Sequence, residues 1–153
     1  MIHSNIVYCI NVYGCANSST LKPLVIKQKQ AIRTISNAGY RDHTAPLFVR
    51  HKILPVNDLI TYCRIKFMHN YMFGNLPPSF FDLWQTNRDR NAVRELRNAD
   101  ELYVPPHCIE LFKRMPLVSF PTVWNLQDDR KYNPCHKAFL KQIKCDLLAG
   151  LNV

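Results

Sequence analysis

Leu21, Leu24, Val25, Ala31, Ile32 and Ile35 recur at the 3.6-residue period of an amphipathic helix, and the spacing predicts one over 21–37. Thr20 is placed to cap its start, Pro23 falls in the first turn, and Asn37 with Gly39 supplies a stop. Lys22, Lys29 and Arg33 stack on the opposite side. Gln28 interrupts the apolar face, and an unpaired buried amide costs about 1–3 kcal/mol. The pattern therefore demands hydrogen-bond partners for Gln28.

The first 13 residues contain no Asp, Glu, Lys or Arg. Ile2, Ile6, Cys9 or Ile10, and Tyr13 fit a helical face, while the β-branched content fits a strand nearly as well. A charge-free start of this kind expects a neighbour packed against it. Thr44 and Pro46 open a short helix carrying Leu47, Phe48 and His51, which Leu54-Pro55 breaks. Asn57 caps a long helix over 58–73, with Leu59, Ile60, Cys63, Phe67 and Tyr71 on one side, Tyr62 and Met68 at its margins, and Gly74 at its end. Ser79 is placed to cap a short helix over 80–84, and 85–106 reads as a polar, partly extended connector. A short helix is expected over 109–115, and a turn or short helix over 123–126 after Pro121. Asn133 and Pro134 then start a helix over 134–148 that Gly150 closes. The sum is an all-α, irregular single domain spanning 1–153, of about five to seven helices joined by Pro-rich connectors.

Charge narrows the partners. Lys and Arg number 20 against 11 Asp and Glu, a formal net charge of +9. That excess favours polyanions, nucleic acid before an acidic membrane surface. No apolar run reaches the roughly 18–20 residues of a membrane span, so no membrane partner is expected. Six cysteines without C-x-x-C spacing, and no basic segment of a secretory signal before them, read as reduced, mostly buried thiols of an intracellular protein in the cytoplasm or nucleus.

Constellations for catalysis do not assemble. Asp100-Glu101 and Asp128-Asp129 lack an apolar strand to hold them against a metal. His107-Cys108 and Cys135-His136 place potential zinc ligands side by side, without the usual spacing. Four isolated glycines make no phosphate loop. No cofactor, metal or small-molecule substrate is expected. What remains is basic surface near aromatic residues: Lys22, Lys27, Lys29, Arg33, Arg41 and Lys52 beside Tyr40, His43 and Phe48. Such a surface can track a nucleic-acid backbone, or it can be a solvated face over core aromatics.

Taken in order, a series of short motifs points further. Tyr8-Cys9 and Val12-Tyr13-Gly14 precede Gln28-Lys29-Gln30-Ala31-Ile32-Arg33. Tyr40-Arg41-Asp42-His43-Thr44, Pro46-Leu47-Phe48 and Ile53-Leu54-Pro55 come next. Leu76-Pro77, Leu96-Arg97-Asn98-Ala99, Val104-Pro105, Trp124-Asn125 and Phe139-Leu140-Lys141 complete the series. It resembles the region after palm and thumb in reverse transcriptases of non-LTR retrotransposons, particularly jockey-like elements, over about residues 8–148. Where the family has Trp-Asn followed by leucine and proline, this chain keeps Leu126 without the proline. The palm, with its paired catalytic aspartates, has no counterpart here. The resemblance implies a non-catalytic C-terminal fragment of an RNA-directed DNA polymerase, begun at a chance methionine. In an intact relative it would support the thumb and hold template RNA or target DNA, and the apolar N-terminal segment would contact the rest of the polymerase. Lys22, Lys29 and Arg33, then Lys27 and Arg41, are the expected phosphate contacts, with Gln28, Trp124 and Asn125 as structural landmarks. The alternative is a small basic protein-interaction module without a nucleic-acid role.

Overall fold

The computed structural model describes residues 2–90, 97–127 and 133–152. Among these residues nine α-helices form and no strand. The all-α class holds. The helix count exceeds the expected range because the N-terminal segment breaks in two and a four-residue helix forms at Asn87–Arg90. The Asp128-Asp129 pair and 91–96 lie outside the described residues.

Packing divides the chain into two compact units, Met1–Cys63 with Lys137–Val153, and Arg64–His136. The first unit opens with α1 (Ile2–Val7) and α2 (Ile10–Tyr13), separated where Cys9 takes a left-handed φ of 54°. Ile6 and Ile10 are buried with Leu54, Val56, Leu59 and Ile60. Gly14 permits this packing: a Cβ there would lie 2.5 Å from the Ile10 carbonyl and 3.1 Å from the Ile60 side chain. The Tyr13 hydroxyl donates to the Ile6 carbonyl, tying α2 back to α1.

Helix α3 (Ser18–Ile35) begins three residues before the expected start, with Asn17 rather than Thr20 at the N-cap. Pro23 therefore lies inside the helix instead of in its first turn, and the Ser19 carbonyl loses its helical donor. Asn37 ends the helix in the left-handed conformation, φ 49°, with Ala38 N–H bonded back to Arg33. Helix α4 (Ala45–Arg50) buries Phe48. Helix α5 (Val56–Met72) buries Leu59 and Ile60 as the stripe requires. Met68 is fully buried instead of marginal, however, and Ile65 and His69 are buried too. Gly74, at φ 67°, lies just past its end. Helix α9 starts at His136, two residues later than expected, because Asn133 Oδ1 accepts the Cys135 N–H in a turn of its own. It runs to Ala149 and ends at Gly150 as expected, where a 3₁₀ turn, Gly150–Asn152, follows.

The second unit is organised by aromatic rings. Phe67 meets Phe80, Trp84 and Phe120 edge-on at 5.6, 6.3 and 5.4 Å between centroids, and Trp84 stacks on Phe120. The expected helix over 80–84 does not form. Only Pro78–Phe80 is helical, as one 3₁₀ turn, and the Tyr71 hydroxyl pins the non-helical segment after it by hydrogen bonds with Phe81 and Trp84 backbone groups. Helices α6 (Asn87–Arg90), α7 (Glu110–Arg114) and α8 (Pro116–Asn125) complete the unit. Helix α8 runs through Pro121, where a turn or short helix beginning only after the proline was expected. A proline at that position leaves the carbonyl four residues back without its helical donor, and Trp84 Nε1–H donates to that carbonyl, Leu117 O, at 3.3 Å. The ends of the polar 85–106 stretch are joined: Thr86 and Leu102 form an isolated antiparallel bridge, and Arg88 pairs with Asp100 at 2.8 Å.

Candidate nucleic-acid interface

At about 100° per residue, Lys22, Lys29 and Arg33 fall within roughly a 40° arc of α3, with axial steps of about 10 and 6 Å. Lys22 and Lys29 are exposed, as is Arg41. Arg33 is half-buried and otherwise engaged: its Nε and Nη2 donate to the Asp42 carbonyl at 3.1 and 3.0 Å. The Asp42 carboxylate turns back to accept the Gly39 N–H at 2.6 Å. Together these bonds close the 39–42 loop against the end of the basic stripe. The acceptor of Arg33 is the Asp42 backbone carbonyl, and the paired contact fixes its geometry. Arg33 is thus first a loop-positioning residue.

That loop presents Tyr40, 82% exposed, beside Arg41 and His43. An exposed ring next to cations is the arrangement on which single-stranded bases stack. Phe48, grouped with it by sequence, is instead core at 2%. Lys27 does not join the stripe. It lies about 140° away round the axis, at the edge of a cavity with Asn5, Ile6, Tyr13 and Leu24. The structure therefore gathers Lys22, Lys29, Arg33 and Arg41 and separates Lys27. Tyr40 is the member that periodicity missed, since an aromatic outside any helix carries no burial signal.

The three landmarks have architectural places. Gln28 is buried, donating from Nε2 to Leu54 O and accepting Val56 N–H at Oε1, both at 2.9 Å. Asn125 does the same for one residue: Oδ1 accepts Leu102 N–H at 3.1 Å and Nδ2 donates to Leu102 O at 2.8 Å. Trp124 is 2% exposed. Among the described residues no sheet forms, and these amides take the ladder bonds that a neighbouring strand would supply.

A histidine pair in the second unit went unrecognised because its members are 67 residues apart in sequence. His69, 1% exposed, stacks on Phe73 and bonds Asn133 O through Nε2 at 3.0 Å. A carbonyl only accepts, so Nε2 carries the proton and Nδ1 of neutral His69 is an acceptor. His136 Nδ1–H therefore donates to it across 2.9 Å. Partial burial, then His69 and Lys66, holds the His136 pKa below its ordinary value. With the folded pKa below an unfolded value of about 6.5, the unfolded chain binds more protons in between. This contribution to stability is complete above the unfolded pKa and is lost as pH falls towards the folded one. Urea unfolding at descending pH should show the decline, and His136→Gln should flatten it; an unchanged slope would remove the pair as its source.

The cysteines differ from expectation. None of the six forms a disulfide, but Cys9, Cys108, Cys135 and Cys145 are exposed and the other two half-buried. The four exposed ones sit at a helix start, in irregular stretches or on an outward helix face, while Cys63 packs against the core of the first unit. Among the described residues no group of three or more His, Cys, Asp or Glu converges on a point where a metal could bind, and no helix is long and apolar enough to cross a membrane. The geometry thus defines an all-α protein with a basic helical stripe ending in an exposed tyrosine loop. Comparison with protein families, curated proteins and solved structures finds no match.

Proposed function

We propose that this chain is a non-catalytic nucleic-acid-holding region, of the kind that follows the thumb in a non-LTR retrotransposon reverse transcriptase. The observation that carries the reading is the alignment of Lys22 and Lys29 with the Arg33-anchored loop bearing Tyr40 and Arg41. Lysines contact successive phosphates of RNA or target DNA, and the ring takes a base. Four exposed free thiols favour a reducing compartment, cytoplasm or nucleus. Because Ile6 and Ile10 are already buried, contact with the remainder of a polymerase falls to Tyr8 and Val12, 77% and 75% exposed.

Arg33 is a poor test residue, since removing it also frees the loop. Lys22→Glu with Lys29→Glu should reduce the log–log salt slope of single-stranded RNA binding by about 1.4, roughly 0.7 per lost phosphate contact. Tyr40→Ala should weaken binding by about 1–3 kcal/mol while leaving that slope unchanged. Unaltered affinity and slope in both would reduce the stripe to a solvated face. The same exposed Tyr8 and Val12 favour a second reading, a protein-binding module. Salt-insensitive self-association in sedimentation, lost in Tyr8→Ser/Val12→Ser, would support it.

A further inference from the structure

Two cavities in the first unit share a wall. One, about 420 Å³, is bounded chiefly by Ile6, Ala31, Ile32, Ile35 and Phe48. The other, also about 420 Å³, has Lys52, Lys144 and Tyr62 around a floor of Leu54 and Leu59. His3 and Ile53 line both. Each volume lies within the roughly 300–1,000 Å³ of small-molecule sites. The first cavity offers an apolar chain a surface of side chains. The second offers two ammonium groups and an imidazole, and among the described residues lining it none is acidic.

Two details mark the second cavity as more than a gap between side chains. Lys52 has φ 53°, the left-handed region that disfavours any residue with a Cβ. It stands just past the end of α4, where Lys52 N–H bonds Val49 O and Ile53 N–H bonds Phe48 O, a position that glycine usually fills. The strained backbone therefore sets a cation at the cavity mouth. Lys144, on α9, is half-buried, and among the described residues the ion pairs engage neither lysine. Burial also raises the Tyr62 pKa, so its phenol stays neutral and adds no negative charge beside them.

We propose that the two adjoining cavities bind one amphiphilic monoanion, a medium-chain carboxylate lying across their shared residues His3 and Ile53, with its head between Lys52 and Lys144 and its tail among Ile32, Ile35 and Phe48. An uncharged chain would make no charge-assisted contact with either lysine, and a small anion would leave the apolar cavity empty. Only a molecule with both parts meets both cavities.

The test is calorimetric titration of the whole protein with decanoate, 1-decanol and acetate. Decanoate should bind saturably, decanol at least about tenfold more weakly, and acetate not measurably, the tenfold corresponding to one lost charge-assisted contact. Lys144→Met and Lys52→Gly should each lower decanoate affinity about tenfold or more while leaving decanol binding unchanged. Lys52→Gly should also raise the melting temperature, because glycine relieves the left-handed φ, so lost binding cannot be blamed on misfolding. Ala31→Leu should block the tail and abolish binding of both ten-carbon probes. Equal affinity for decanoate and decanol, or undiminished decanoate binding in both lysine variants, would overturn the assignment. Lys144 lies outside the basic surface of α3 and its neighbouring loop, so the RNA salt slope should be the same in Lys144→Met, and the two proposals fail separately.

Discussion

Gln28→Leu should destabilise the first unit by about 2–5 kcal/mol, although leucine suits the apolar face better by hydropathy. The wild-type amide satisfies the Leu54 carbonyl and the Val56 N–H on either side of Pro55. Leucine would leave both buried without a partner, at about 1–3 kcal/mol each, offset in part by its own burial. Pro55 has no N–H, so the segment entering α5 cannot repair the loss locally. Gln28→Glu separates the two bonds, because a carboxylate still accepts from Val56 but cannot donate to Leu54. It should be less damaging at low pH, where the protonated acid regains a donor. Denaturant unfolding of the two variants at neutral and acidic pH checks both statements, and a Gln28→Leu protein as stable as wild type would refute the first.

Trp124→Ala should cost about 3–5 kcal/mol, the range for emptying a buried aromatic site. Trp124 is 2% exposed and meets His69 edge-on at 6.3 Å between centroids. Its loss would open a cavity beside the His69–His136 pair as well as remove packing. The pH dependence of stability should therefore weaken together with stability itself. Asn125→Leu, one residue on, should be milder because its amide is only part-buried. If Trp124→Ala unfolds at wild-type denaturant concentration, the ring is not a core element.

These variants show what kind of information the residues carried. The stripe of α3 was legible where helical period and burial coincide: Ile32 is buried and Lys22 and Lys29 are exposed, but Ile35, at the end of the apolar face, is 60% exposed. Gln28 was legible as a demand for partners, but the chain could not say that they would be Leu54 and Val56. Arg33 read as one more cation of the stripe, yet its bond to Asp42 makes it a support for Tyr40 and Arg41. Pro121 left only a turn or short helix to be expected after it, because its local effect on a helix is unfavourable. That effect is met by an indole 33 residues distant in sequence.

The division reflects the range of the forces. Local sequence alone determined the all-α class, the long helices, the turn at Leu54-Pro55 and the excess of positive charge, because period, proline geometry and net charge act between near neighbours or on the whole chain. Tertiary structure alone decided how Gln28 and Asn125 replace missing strand partners, and how His69 and His136 fix each other's tautomers. It also decided that Lys27 leaves the stripe and that Lys52 and Lys144 share a cavity. Each depends on a hydrogen bond or an approach between groups far apart in sequence, and no spacing pattern encodes such a meeting before the chain has folded.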